Sequence, residues 1–99
     1  MIDFLKEVGI SKRTIKEIES NNTNSSLFDL SCNNINCLKI VLYLKEIGIL
    51  NIDNLLINKI DLFKMDYQEL VKKFSKFNIP VFISLVNDDI EVIENIYLV

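Results

Sequence analysis

Two cysteines are the side chains of this 99-residue sequence best suited to metal or redox chemistry. Cys32 and Cys37 have no histidine and no third cysteine to complete a zinc-binding set. They lie five residues apart in a segment expected to be helical, where their side chains would not face each other. We therefore expect two reduced thiols, as in a cytoplasmic protein, with no metal and no cofactor.

Acid–base catalysis has little support in this composition. The sequence has no histidine, the only side chain whose ordinary pKa lies near neutrality. The acids near its end fit the first turn of a helix better than a calcium loop, because they lack the glycine and the alternating oxygen ligands. Gly9 and Gly48, the only glycines, are too few for a phosphate-binding loop. We expect no enzymatic activity and no small-molecule substrate. The four acids near the end of the sequence, mentioned above, are Asp88, Asp89, Glu91 and Glu94.

The balance of charge and hydropathy indicates a folded chain outside the membrane. Hydrophobic residues make up 49% of the sequence, and the mean hydropathy is +0.25, which excludes intrinsic disorder. No window approaches the roughly 20 apolar residues of a membrane span, and no signal peptide is recognisable. The net charge is -3, and residues 80–99 contain no lysine or arginine. We therefore expect a cytoplasmic location and no membrane association.

The apolar residues recur with the spacing of helices. Ile2, Leu5 and Val8 are three residues apart, and a longer segment continues the pattern at Ile35, Leu38, Leu42 and Ile49. Ser11, Asp66 and Asp88 are predicted to cap helices, and Pro80 suits the first turn of another. The polar residues 21–26 predict a loop. The pattern predicts an all-α fold in which residues 1–99 form a single helical-repeat domain.

A seven-residue segment occurs twice. Residues 4–10 recur as residues 43–49 with five of seven positions identical, and residues 74–79 form a weaker third copy. Gly9 and Gly48 occupy the same place in the first two copies, and Asn78 replaces the glycine in the third. We expect each of these residues to end a helix in the left-handed conformation. The repetition predicts about two and a half helical units.

These units resemble the repeat of the mitochondrial transcription termination factor (mTERF) family. The shared features are the Leu-Lys-Glu-x-Gly-Ile ending, a short helix, a turn with a Leu-Phe pair and a helix that leads back to the same ending. The most similar part comprises residues 27–31, Asn34 and residues 38–49. Ile60 and Asp61 stand where that family usually has a proline. The resemblance implies a short right-handed superhelical array of helix pairs. It also implies nucleic-acid binding on a basic concave face.

Residues 9–30 also resemble the recognition-helix region of phage-repressor-like helix-turn-helix domains. The similarity covers Ser11 as the helix cap, the polar residues after it and the following loop. It implies that Lys12, Arg13, Thr14 and Lys16 face DNA.

A second group of cations lies among aromatic residues. Interleaved cations and aromatics can grip phosphates and stack on bases, although the spacing of Leu70, Phe74 and Phe77 favours a core position for these aromatics. The cations are Lys64, Lys72, Lys73 and Lys76, and the aromatics are Phe63, Tyr67, Phe74 and Phe77.

The excess of large aliphatic residues favours a protein-binding function. Sixteen isoleucines and 13 leucines are more than a chain of this length can cover, and surplus apolar surface implies a partner. We predict a non-enzymatic module that binds a protein partner or self-associates, and the alternative is a nucleic-acid-binding protein acting in transcription. The open ends of the array are the expected partner contacts: Ile2, Phe4 and Leu5 at one end, and Ile93, Ile96, Tyr97, Leu98 and Val99 at the other.

Overall fold

The fold contains helices and no strands, which confirms the all-α prediction. The computed structural model describes residues 1–99. Three 3₁₀ helices span Asp3–Val8, Ile60–Lys64 and Ile90–Leu98. None of the helices has the length and apolar character needed to cross a membrane. The α-helices are α1 (Lys12–Asn21), α2 (Asn24–Cys32), α3 (Asn34–Ile47), α4 (Ile52–Asn58), α5 (Tyr67–Phe74) and α6 (Ile79–Asp88).

Several helices begin at the residues that the sequence predicts. The Ser11 hydroxyl accepts a hydrogen bond from the Thr14 amide at 3.1 Å, and the Asp66 carboxylate accepts one from the Glu69 amide at 3.2 Å. Each bond satisfies an amide that the first turn of a helix leaves without a partner. Pro80 lies in the first turn of α6, as predicted.

Two local predictions are wrong. Asp88 ends α6, and Asp89 caps the last 3₁₀ helix instead, accepting a hydrogen bond from the Glu91 amide at 3.0 Å. The polar residues 21–26 do not form a long loop, because the Thr23 hydroxyl accepts from the Ser26 amide at 3.1 Å and starts α2. Polar residues that favour turns are also good helix caps, and here they act as caps.

Gly9 and Gly48 end helices in the left-handed conformation, which confirms their prediction. Their φ angles are +83° and +104°. After Gly48 the amide of Ile49 reaches back to the Leu44 carbonyl at 2.9 Å, and after Gly9 the amide of Ile10 reaches the Leu5 carbonyl at 3.2 Å. These return bonds are typical of helix ends at which a glycine takes positive φ.

Asn78 does not share this role, so the third copy at residues 74–79 does not end as the first two do. Its φ is -71°, and its side chain accepts a hydrogen bond from the Val81 amide at 3.3 Å at the start of α6. Pro80 explains the difference, since proline favours the first turn of a helix and Asn78 is then placed to cap it.

A single cluster of 26 buried hydrophobic residues forms the core. The helix α3 lies at its centre and packs against the first 3₁₀ helix, α5 and the 3₁₀ helix Ile60–Lys64. Helix α1 packs on α4, and α6 packs on the last 3₁₀ helix. Edge-to-face contacts of Phe74 with Tyr43 and Phe82, at ring-centre distances of 5.7 and 5.5 Å, connect α3, α5 and α6.

Helix α3 has apolar residues on two faces. Its core face consists of Cys37, Ile40, Val41 and Leu44, all of them buried. Ile35 and Leu42 lie on the outer face, 68% and 54% exposed. The helical spacing recognised in the sequence at Ile35, Leu38 and Leu42 therefore follows the outer face of this helix.

Candidate interaction surfaces

Half of the residues that the sequence predicts as partner contacts lie in the core, so the prediction is wrong for these four residues. Ile2, Leu5, Ile93 and Ile96 are each 0% exposed and offer no surface to a partner. The reason is the 3₁₀ geometry of both chain ends, in which residues three apart point to the same side, here inward.

The remaining expected contacts reach the surface to different degrees. Phe4 is half-buried and packs against the core, while Tyr97, Leu98 and Val99 are exposed. The C-terminal end therefore retains an apolar surface, and the N-terminal end retains little beyond Met1, which is also exposed.

The outer face of α3 is the apolar surface that the sequence prediction did not identify as a contact. Ile35, Leu38 and Leu42 follow one another at spacings of three and four residues, and so form one stripe along the helix. Leu38, in the middle, is half-buried. We call these three residues the α3 stripe. Lys39 and Glu46 are exposed beside it.

Helix α6 carries a second exposed apolar face. Val81 and Leu85 are one helical turn apart and both are exposed. Leu50, which is 85% exposed, lies in the connection between α3 and α4. Its amide donates a hydrogen bond to the side-chain oxygen of Asn87 at 2.9 Å, so the connection is fixed to the end of α6.

The predicted DNA-facing residues of α1 divide into two groups. Lys12, Arg13 and Lys16 are exposed on the same stretch of helix, and Arg13 lies 3.6 Å from Glu17. Thr14 is buried and donates its hydroxyl hydrogen to the Asp53 carboxylate at 3.0 Å. Thr14 therefore cannot face DNA, because it is the residue that attaches α1 to α4.

Two of the four lysines in the second basic group form hydrogen bonds within the protein. The Lys64 ammonium donates to the Ser26 hydroxyl at 2.6 Å and lies 3.5 Å from Asp61, and Lys73 donates to the Val99 carbonyl at 2.5 Å. Lys72 and Lys76 are exposed. The four cations therefore do not form one open phosphate-binding surface.

The aromatic residues of this group lie in or against the core, as their spacing favours. Phe63 and Phe74 are fully buried. Phe77 stacks on Phe82 with ring centres 4.3 Å apart, and Tyr67 meets the edge of Tyr43 at 6.0 Å. Because Phe63 and Phe74 are fully buried, they cannot stack on bases.

A polar cleft of about 460 Å³ lies where α1, α2, α4 and the last 3₁₀ helix approach one another. Asn21, Thr23, Asn58 and Tyr97 are among the residues that line it. Lys59, also in the lining, donates to Glu91 at 2.8 Å and to Glu94 at 2.9 Å. These hydrogen bonds raise the pKa of Lys59, and they connect the end of α4 to the last 3₁₀ helix.

Both cysteine thiols are free, and their environments differ. Cys32 is exposed at the end of α2. Cys37 is in the core, where burial raises the pKa of its thiol to about 12. Since the thiolate is the reactive form, Cys37 is unreactive near neutral pH.

Comparison of the chain with protein-family models, curated proteins and solved structures finds no match.

Proposed function

We propose that this protein is a non-enzymatic helical-repeat module that binds another protein, or a second copy of itself, through the outer faces of α3 and α6. The supporting observation is that Ile35, Leu42, Val81 and Leu85 are exposed on ordered helices while 26 other apolar residues fill the core. Large apolar side chains repeated along one helix face are typical of surfaces that a partner covers.

Contacts between positions 39 residues apart support the repeat interpretation. The Thr14–Asp53 hydrogen bond and the bond from the Asn87 side chain to the Gly48 carbonyl both have this separation. Leu5, Leu44 and Ile83, which follow the same spacing, are all buried. We therefore propose that the third copy is residues 82–88, in place of residues 74–79.

In this array two exposed positions of each unit correspond to one another at a spacing of 39 residues, and their polarity differs between units. Both residues are charged in the first unit, one is apolar and one is charged in the second, and both are apolar in the third. A partner held by apolar contacts should accordingly bind the second and third units. The positions are Asp3 and Glu7, then Leu42 and Glu46, and finally Val81 and Leu85.

Capture from a lysate of the native host, together with light scattering of the pure protein, tests the proposal. The variants are Leu42→Ser and Val81→Ser, and the matched control is Leu50→Ser, since Leu50 is exposed but lies on neither helix face. We expect the parent and the control to capture the same protein or to self-associate equally, and at least one face variant to reduce this by about ten-fold. Equal behaviour of all four proteins would contradict the proposal.

The second candidate function is nucleic-acid binding in transcription, as the two family resemblances imply. It is favoured by the exposure of Lys12, Arg13 and Lys16 together on α1. Binding of this kind should weaken as salt is raised, and replacement of the three cations by glutamine should reduce the slope of that dependence. Gel-shift titrations at low salt with DNA and RNA test it, with Lys72→Gln and Lys76→Gln as the comparison. No binding at about 100 µM protein would eliminate this candidate.

A further inference from the structure

We infer that the α3 stripe is a self-association surface, on which the α3 helix of a second copy of this chain packs in the antiparallel direction. This inference rests on the proposed function and deepens it, because it names the partner and the geometry of its binding. A two-fold axis relates the two copies, so each contributes the same residues to the contact.

The stripe has the spacing of a two-helix seam. Ile35 and Leu42 are seven residues apart, and Leu38 lies between them, which corresponds to successive a, d and a positions of a heptad. The opposite side of the helix is occupied by Cys37, Ile40, Val41 and Leu44 in the core. An apolar residue on the outer face therefore has no contact available within the chain that would bury it fully.

The flanking charges select the orientation. Lys39 and Glu46 each follow an outer apolar residue by four positions, lie on the same flank of the stripe and are both exposed. Neither residue forms an ion pair within the chain. These are two e positions of successive heptads, and in an antiparallel pair the e positions of the two helices meet. Lys39 of each copy then faces Glu46 of the other, and the axis makes this attraction occur twice.

In an antiparallel pair each a residue lies beside a d residue of the partner, so this register places the two-fold axis just after Leu42, and Leu42 of each copy packs against the aliphatic part of Lys45 of the other. A parallel pair would place the e positions opposite the g positions, which are Asn34 and Val41. Neither is charged, and Val41 is buried in the core. The charges therefore complement one another only in the antiparallel arrangement.

A contact made by one helix from each copy is small, so we expect a weak dimer with a dissociation constant of roughly 10–100 µM. Sedimentation velocity of the whole chain up to about 1 mM measures it. In Lys39→Glu and in Glu46→Lys the meeting charges become alike, and each variant should dimerise at least about ten-fold more weakly than the parent.

An equimolar mixture of these two variants provides the decisive measurement. The first variant has an acid at both positions of the pair and the second has a lysine at both, so the mixture should form a heterodimer with the affinity of the parent although each variant alone dimerises at least about ten-fold more weakly. The double variant K39E/E46K should regain the affinity of the parent. Leu42→Ser should abolish dimerisation, while Val81→Ser, on the outer face of α6, should retain it. Circular dichroism melts check that every variant is folded.

A parent protein that stays monomeric at about 1 mM would overturn the inference. A dimer that neither charge reversal weakens, or a mixture that forms no heterodimer, would overturn it too and would indicate another face. In all three cases the proposed function would still be decided separately, by whether the face variants lose capture of a different protein.

Discussion

The hydroxyl of Thr14 donates a hydrogen bond of 3.0 Å to the carboxylate of Asp53, and this bond joins α1 to α4. Thr14 also accepts one from the Ser11 hydroxyl at 3.1 Å. The residue that caps α1 and the residue that attaches it to α4 therefore belong to one series of hydrogen bonds. These bonds explain why a threonine is buried here among aliphatic residues.

Replacing Thr14 by valine should lower the free energy of unfolding by about 1–2 kcal/mol, because it removes a hydrogen bond to a charged group and keeps the side-chain volume. Asp53 is exposed and can bind water after the change, which limits the loss. Urea unfolding of Thr14→Val, Asp53→Ala and the double variant measures the coupling. If the two single losses simply added, the bond would contribute nothing to stability.

Valine at Gly9 or Gly48 should destabilise the protein by at least about 1 kcal/mol, because a β-branched residue is strained at positive φ. The loss should be similar at the two sites. A Cβ at Gly9 would lie 3.3 Å from the end of the flexible Lys45 side chain, and at Gly48 its nearest neighbour is an Ile83 methyl group at an ordinary 3.8 Å. Thermal melts of the two variants and the parent test this. A loss at Gly9 beside an unchanged Gly48 would argue against equivalent helix ends and for the helix-turn-helix interpretation.

The titration of Cys37 should make the protein less stable at alkaline pH. Its pKa is about 12 when folded, against an ordinary value of 9.0, so the folded state holds the proton more tightly. The resulting stability is fully present below pH 9 and is lost as the pH rises towards 12. In Cys37→Ala the free energy of unfolding should be lower at pH 7, because a cavity remains, but should fall less steeply between about pH 9 and 11. Parallel curves for parent and variant would contradict this, and Cys32→Ala is the control.

Lys59 should contribute to the same alkaline loss from a different place. Its hydrogen bonds to Glu91 and Glu94 raise its pKa above 10.5, so the contribution is present below that pH and disappears as the pH rises through the folded pKa. In Lys59→Met the last 3₁₀ helix should be less firmly attached at pH 7. Amide hydrogen exchange within residues 90–98 should therefore be faster in the variant, while exchange in α3 serves as the internal control. Unchanged exchange at this helix would show that the ion pairs are dispensable.

Much of the fold could be predicted from local sequence because the deciding interactions are local. Ser11 and Asp66 each bond to an amide three residues later, and the two glycines are needed wherever φ is positive. Asn78 is ambiguous for a physical reason, since asparagine favours both the left-handed ends and the beginnings of helices. Only the neighbouring proline distinguishes the two roles.

The candidate surfaces could not be predicted in the same way. Helix α3 is apolar on both sides, so its sequence cannot indicate which side the rest of the chain will cover. The burial of both chain ends depends on their 3₁₀ geometry, and the position of a residue near a terminus does not show its exposure. Packing between distant segments decides both matters, and a hydrophobic periodicity contains no information about it.

The ammonium of Lys45 donates a hydrogen bond to the Val8 carbonyl, at the end of the first 3₁₀ helix. That helix is six residues long, and its last turn is therefore completed by a side chain from a segment 37 positions away. If α3 frays, the first 3₁₀ helix loses both this partner for its carbonyl group and its packing against α3. We therefore expect a protease cut between Ser20 and Thr23 to release two fragments that are each unfolded, as in a single cooperative folding unit, despite the internal similarity of the chain.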